Sequence, residues 1–542
     1  MSLDLSDLRA TPADLRKRYF DRGWWNDDTL GRNIVEWLSR SPASEMRIWS
    51  RARPQRIGFG GLAVLIRQFA AGIERRGIVP GDTVAVYVPN SIEGAVAFAG
   101  VMLAGATAVP VAPYYGLKEL KYIVERSQAR LLITTESDPA GRLEQIVAAW
   151  PDLPLLEDIY VVDGAVPGAM RRFDELIVDA PSELSPVDPE RAAVIAFTSG
   201  TTTGPKGVVH LHRSICYDVR AHMVQMPDAR RPTLTAGPIA HAAGMLAGLC
   251  LPAIRGKSIH LTDGWDPARI LAAMREADLS TGGGTPFFLN SLLGHPDTRP
   301  EDIAKVEMVG FGAAAIPWSF AEKCEAAGIR NFRLYGSTEH PTVTMSSFDD
   351  PAIKRHRTDG RPLEGVEVRL VGSDGRDVDT GEPGELWSRG PDLCVGYTDP
   401  ALNGEYFTSD GWFRTGDVAV KDEDGFYTIT DRIKDIIIRN GLKIGAVEVE
   451  DALLAIPGMA ECAVIAVPDD RTGERAHAVI RVADGASPPT LAGIRDHLKT
   501  IGLAKQKWPE SLECVDDFPR TPLGKIKKFE LRRRMTDMRG TE

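Results

Sequence analysis

Apolar and polar positions in the first part of the chain change period repeatedly. DTVAVYVP (82–89) is a short β-branched run and reads as a strand, and residues 91–104 follow it with a helical pattern. ARLLITT (129–135) reads as a strand and LEQIVAAW (143–150) as a helix. RAAVIAFTSG (191–200) is a strand running into a glycine loop. Such alternation predicts α/β layers with mainly parallel pairing.

Near residue 365 the texture changes. GVEVRLVG, GELWSRG and GFYTITD are short strands separated by Gly, Asp and Pro, which predicts an antiparallel, barrel-like piece at about 360–432. Beyond Asp431 the pattern is again α plus β. VEVEDALLAI and LAGIRDHLKTIG read as helices, AECAVIAVPD and AHAVIRVAD as strands. No internal repeat or low-complexity linker intervenes, so the boundary at 431–435 reads as a tight hinge. The expected division is a large domain, 1–432, and a small mobile domain, 433–542.

From Gly94 to Gly116 no residue is charged, a length that suits a membrane span. Its Ala/Gly richness, the C-cap position of Gly105 and the break at Pro110 favour a buried helix followed by a core strand, TAVPV. No integral membrane segment is expected.

A chain of 542 residues exceeds one hydrophobic core. Its 26% charged and 43% hydrophobic residues are ordinary for a globular protein. The net charge of -11 gives no general attraction to nucleic acid, so an anionic ligand needs local basic groups. The dense basic run is KIKKFELRRR (525–534), either a solvated helix face or an anion contact. Six scattered cysteines without a C-x-x-C pair fit a reducing compartment, and His210 with His212 lacks neighbours for a metal site. The first twenty residues carry no apolar signal core, and a cytoplasmic location is expected.

TSGTTTGPKG (198–207) has the composition of a phosphate cradle but not the Walker A spacing: Pro205 stands where the second glycine belongs, and Gly207 follows Lys206. Thr198, Ser199, Thr201, Thr202 and Thr203 offer hydroxyls, Gly200 and Gly204 permit close backbone approach, and Lys206 supplies a cation.

With this loop the chain resembles the adenylate-forming superfamily of acyl-CoA synthetases, peptide-synthetase adenylation domains and firefly luciferase. The resemblance runs from about residue 60 to about 530. GDTVAVYVPNS (81–91), GAAAIP (312–317), YGSTE (335–339), GELWSRGP (384–391), WFRTGD (412–417), DRIKDIIIRNG (431–441) and PRTPLGKIKK (519–528) follow in the family's order. The resemblance implies ATP, Mg²⁺ and CoA as cofactors, and conversion of a carboxylate to an acyl adenylate that a thiol then attacks.

It also implies roles. Glu339, a hard oxygen donor, would hold Mg²⁺, and Thr338 would donate to the α-phosphate. Tyr335 would stack on adenine beside Gly336 and Ser337, with Ala314 and Ala315 making room for the purine. Asp417 would accept from the ribose hydroxyls, and Arg432 would serve the ribose or phosphate region. Lys525, in a Pro/Gly loop, would bridge carboxylate and phosphate. Lys434 corresponds to the hinge. Gly441 and Arg471 would serve the CoA channel, although Asn440-Gly441 departs from the commoner pair of glycines; the run 527–534 is a further candidate for CoA phosphates.

His241 in PIAHAAG stands at the expected mouth of the acyl pocket, with Ala240, Ala242, Gly244, Met245, Gly283, Gly312 and Ala313 around it. No acid stands early in PIAHAAG to hold an α-ammonium, which argues against an amino acid. The expected substrate is an apolar monocarboxylic acid: alicyclic, aromatic or short- to medium-chain fatty. RKRYFDRGWWNDDTLG (16–31) resembles the N-termini of cyclohexanecarboxylate-CoA ligases and aryl-acid adenylating enzymes. Three readings stand: an acyl-CoA ligase, an adenylating enzyme that loads a carrier protein, and a non-catalytic nucleotide binder, against which the retained Lys525, Glu339 and Asp417 speak. Expected partners are the small acid, ATP and CoA, with a homodimer left open and an acetyltransferase acting on Lys525 as a regulatory hypothesis.

Overall fold

The computed structural model describes residues 8–136, 143–180, 185–198, 205–312, 316–469, 471–483, 485–521 and 524–539. Five sheets build it. The seven-stranded sheet holds six parallel strands, Arg171–Arg172, Asp158–Val161, Leu131–Thr134, Thr83–Val86, Thr107–Pro110 and Ala192–Phe197, in that spatial order. Gly207–Leu211 then pairs antiparallel at its edge. These strands are short and β-branched, and most are buried throughout, as a sheet covered on both faces requires.

The uncharged stretch 94–116 supplies most of the helix Ile92–Leu103 and the strand Thr107–Pro110. Ser91 caps the helix by accepting from the Gly94 N–H at 3.0 Å, and Gly105 follows its end at φ +76°. Every residue of the helix but Glu93 is buried, so the absence of charge from Gly94 onward reflects packing. Among the described residues no helix is long and apolar enough to cross a membrane.

A five-stranded sheet carries Glu45–Trp49 between Ile259–Thr262 and Gln55–Gly58, and a four-stranded sheet carries Met308–Phe311 beside Arg330–Tyr335. The β-rich piece is an antiparallel sheet of Glu367–Val371, Gly384–Arg389, Phe413–Lys421 and Tyr427–Arg432 in sequence order. A short 3-10 turn, Ile433–Asp435, leads into the last unit. There the long hairpin Met459–Asp469 with Gly473–Val482 packs under the helices Ala446–Leu454, Leu491–Thr500 and Lys528–Arg539.

The basic run on the last helix is partly buried at Lys528 and Arg532 and exposed at Arg533 and Arg534. Lys528 pairs with Glu450 at 2.7 Å, Arg532 with Asp435 at 2.6 Å and Arg534 with Glu513 at 2.8 Å. These three cations each have a carboxylate partner within the C-terminal unit. The five buried cysteines and exposed Cys514 are all free.

Candidate active site

The end of strand Arg330–Tyr335 and the register of two neighbouring strands build the first part of the site. Asp417 and Arg432 are directly opposed across the ladder. Arg432 Nε lies 2.9 Å from Asp417 Oδ1, and the Tyr335 hydroxyl donates to Oδ2 at 2.7 Å. Both oxygens of a nearly buried carboxylate are thus held in place. Burial and the Asp417 charge raise the Tyr335 phenol well above its usual range, which keeps it a donor.

YGSTE turns immediately after Tyr335. A Cβ on Gly336 would meet the Pro341 carbonyl at 2.0 Å, so no other residue fits without moving the turn. The Ser337 N–H donates to the His340 carbonyl at 2.9 Å. His340 is fully buried, with its ring nitrogens 2.8 Å from Ser388 Oγ and 3.1 Å from Asp392 Oδ1. His210 Nε2 donates to the Thr338 carbonyl at 2.7 Å. Glu339 Oε1 accepts from the Tyr397 hydroxyl at 2.8 Å, and its backbone carbonyl accepts from Cys394 N–H at 2.9 Å. With Oε1 anchored by Tyr397, the Glu339 carboxylate is a hard oxygen donor of the kind that would suit Mg²⁺.

Of the phosphate loop, the structure describes Thr198 and Pro205 to Gly207. The Thr198 N–H donates to the Lys206 carbonyl at 3.0 Å. Lys206 Nζ donates to the Tyr406 hydroxyl at 2.7 Å and lies 5.5 Å from the Tyr397 ring centre. Ser199, Gly200, Thr201, Thr202, Thr203, Ala313, Ala314 and Ala315 lie outside the described residues.

The C-terminal unit delivers Lys525 to this face. The Lys525 N–H donates to Thr521 Oγ1 at 3.2 Å, and the Thr521 N–H donates to the Lys525 carbonyl at 2.7 Å. A Cβ on Gly524 would meet Phe287 at 2.8 Å, and the Arg520 guanidinium lies 5.2 Å from the same ring. Phe287 of the large domain is therefore the seat of the lysine loop. Burial, then the Arg432 charge, push the Lys525 ammonium down to about 8, while Asp417 opposes the shift.

His241 begins a short helix, Ala242–Met245, and accepts from the Ala243 N–H at 3.4 Å. Burial and the Lys525 charge push its imidazole down to about 4, so it is neutral at physiological pH. Behind it is a narrow, almost wholly apolar cavity. His241, Ala242 and Met245 line it, together with Ile239, Val194, Ala196 and His210. Ala240, Gly244, Gly283 and Gly312, expected at the acyl pocket, do not line this cavity. Ala240 packs with the opposite core layer, and a Cβ on Gly244 would press on the Pro238 carbonyl. The Gly312 N–H is bonded to Gly284 O, which joins Gly312 to the segment after Gly283.

Asn440 and Gly441 form the two-residue turn of the hairpin Ile437–Arg439 with Leu442–Ile444. Their φ values of +50° and +79° are those of a type I′ turn, for which Asn-Gly is the preferred pair. The Asn440 N–H donates to the Thr472 carbonyl at 2.8 Å, which places Arg471 in the turn beside it. Lys434 lies in the 3-10 turn between the two units.

Sequence reasoning missed Tyr397, Tyr406 and the buried His340–Asp392 pair, and placed Phe287 at the acyl pocket without its contact to Gly524. Contacts between segments so far apart in sequence leave no local signal.

Comparison with known proteins accords with this geometry. Residues 35–398 match the family profile of the AMP-binding enzymes, and residues 448–525 match the AMP-binding enzyme C-terminal domain. The chain belongs to the AMP-binding enzymes, the adenylate-forming superfamily. In enzyme class it is an AMP-forming acid–thiol ligase. It is 32% identical over 501 residues to a Rhodococcus jostii 3-[(3aS,4S,7aS)-7a-methyl-1,5-dioxo-octahydro-1H-inden-4-yl]propanoyl:CoA ligase, covering 88% of this chain and 93% of the relative. It is 30% identical over 544 residues to pyochelin synthase PchD of Pseudomonas aeruginosa, covering 98% and 97%. Among solved structures, the anthranilate CoA ligase AuaEII in complex with anthranoyl-AMP superposes with a TM-score of 0.84 at 25% identity, covering 94% of this chain and 98% of that one.

Proposed function

We propose that the protein activates an apolar monocarboxylic acid (alicyclic, aromatic or short- to medium-chain fatty) and transfers it to CoA. In the first step a carboxylate oxygen attacks the α-phosphorus of ATP and pyrophosphate leaves. In the second, the CoA sulfur attacks the acyl carbon and AMP leaves. The observation that carries this reading is the position of Lys525. Its ammonium feels Arg432 and Asp417 on the nucleotide side, and in turn lowers the pKa of His241 at the mouth of the apolar cavity. One cation thus stands between a nucleotide site and an acyl site, where a carboxylate and an α-phosphate must meet.

Each remaining residue has a task in this reading. Asp417 and Arg432 orient the ribose and Tyr335 packs against the base. Thr338 and Lys206 hold phosphate oxygens, together with the loop hydroxyls of Thr198 to Thr203. Glu339 holds Mg²⁺, which would neutralise phosphate charge. Neutral His241 positions the carboxylate without repelling Lys525. The unit from 433 onward then turns about Lys434, withdrawing Lys525 and presenting Asn440-Gly441 and Arg471 to the incoming thiol. Acetylation of Lys525 would remove its charge and stop the first step.

Pyrophosphate release over a panel of cyclohexanecarboxylate, benzoates and C4 to C12 fatty acids, with and without CoA, tests the reading. CoA-dependent turnover with acyl-CoA seen by mass supports it. A stoichiometric burst that CoA does not relieve means that the acceptor is a carrier protein, and no release with any acid refutes the activity.

A further inference from the structure

His210 lies on strand Gly207–Leu211, opposite Val194 of strand Ala192–Phe197. Strand alternation puts Val194, Ala196 and His210 on one face of the sheet, and all three line the cavity behind His241. The rest of the lining is aliphatic apart from His241 itself. His210 is only 2% exposed.

The protonation of its two nitrogens follows from their partners. Nε2 is 2.7 Å from the Thr338 carbonyl, and a carbonyl only accepts, so Nε2 carries the hydrogen. Nδ1 is then a bare lone pair. It is buried and has no hydrogen-bonding partner among the described residues. Burial and the neighbouring His340 push the imidazole down to about 4, against the Thr338 bond and Asp392, so Nδ1 does not acquire a proton near neutrality. A buried acceptor without a donor carries the full cost of desolvation, and an aliphatic side chain at this place would avoid it.

We propose that His210 is a specificity-determining residue whose Nδ1 accepts a hydrogen bond from a hydroxyl or amino group on the bound acid. The pocket would then select a donor-bearing carboxylic acid over its unsubstituted parent. This rests on the acyl-activating reading above and narrows its substrate class. A site that offers a fixed polar partner rejects the analogue lacking it far more strongly than an apolar pocket distinguishes sizes.

The test uses the full-length enzyme with ATP, Mg²⁺ and CoA, and matched acids. These are benzoate with its 2-, 3- and 4-hydroxy, amino and methoxy derivatives, and cyclohexanecarboxylate with its hydroxy derivatives. The readout is the ratio of kcat/KM for a donor-bearing acid to that for its parent, taken within one protein so that general losses cancel. The wild type is expected to favour at least one hydroxy or amino acid by about tenfold or more over both parent and methyl ether. His210→Leu is expected to bring that ratio to about one. His210→Asn, whose amide can donate to Thr338 and accept from the substrate, is expected to retain part of it. Ratios at or below one for every pair in a wild type that turns over the parents overturn the proposal, as does a preference that survives in His210→Leu. Absence of turnover with all acids, parents included, overturns the underlying activity instead, so the two failures are separable.

Discussion

Arg432 and Asp417 face each other across adjacent strands at 2.9 Å, and Tyr335 holds the second oxygen of the same carboxylate at 2.7 Å. The acceptor proposed for the ribose is thus fixed before any nucleotide arrives. Hydrogen bonds to charged groups contribute about 1.5–3 kcal/mol. Asp417→Asn is therefore expected to lower kcat/KM for ATP by about 10- to 100-fold while the acid KM changes little. Arg432→Ala should lower it less in the Asp417→Asn background than alone, and strict additivity in pyrophosphate-exchange assays would show that the two act separately.

The lowered pKa of Lys525 gives a pH dependence with a definite sign. In the proposed reaction the charged ammonium is the active form, and burial with Arg432 brings its pKa down to about 8. Adenylation kcat/KM should be full below that value and fall as pH rises through it, because this profile reports the free enzyme. Lys525→Arg remains charged throughout, so its lower activity should lack the alkaline limb. An unchanged limb would assign that ionisation to another group.

Asp431 lies just before the 3-10 turn, where its Oδ1 accepts from the Arg432 N–H at 2.8 Å while Oδ2 is buried without a hydrogen-bonding partner among the described residues. Burial pushes this carboxyl up to about 6. A raised carboxyl pKa contributes stability that is full below the ordinary carboxylate value of about 4 and is lost as pH rises through 6. Asp431→Asn keeps an acceptor and removes the buried charge. Its Tm should rise by a few degrees at pH 8 and match the wild type at pH 5, and a lower Tm at pH 8 would refute this account.

In the proposed reaction the Asn440-Gly441 turn serves the second half-reaction alone, which predicts that the two steps separate on substitution. Holding alanine at a left-handed position costs about 1–2 kcal/mol. Asn440→Ala should leave the rate of the first pyrophosphate burst unchanged and slow CoA-dependent turnover several-fold. A slowed burst would place the hairpin in the first step.

Much of this arrangement was legible in the chain because local chemistry specifies it. The apolar β-branched strands, the capped helix after Ser91, the meander punctuated by Gly and Asp, and the motifs carrying Tyr335, Asp417, Arg432 and Lys525 all act over a few residues. What escaped depends on contacts between segments far apart in sequence. Phe287 as the seat of Gly524, Tyr397 on Glu339, and His210 under Thr338 have no periodicity to announce them. The acidic partners of the basic run 527–534 escaped for the same reason: Glu450, Asp435 and Glu513 come from three other segments.

Phe287 stands near the start of helix Pro286–Leu293, directly after the Gly282–Gly284 segment, and supports Gly524 from below. A change in the size of Phe287 therefore alters the landing place of the lysine loop. The fit of Lys525 to its surroundings is written partly in a helix far away in sequence, so the two stretches cannot vary independently.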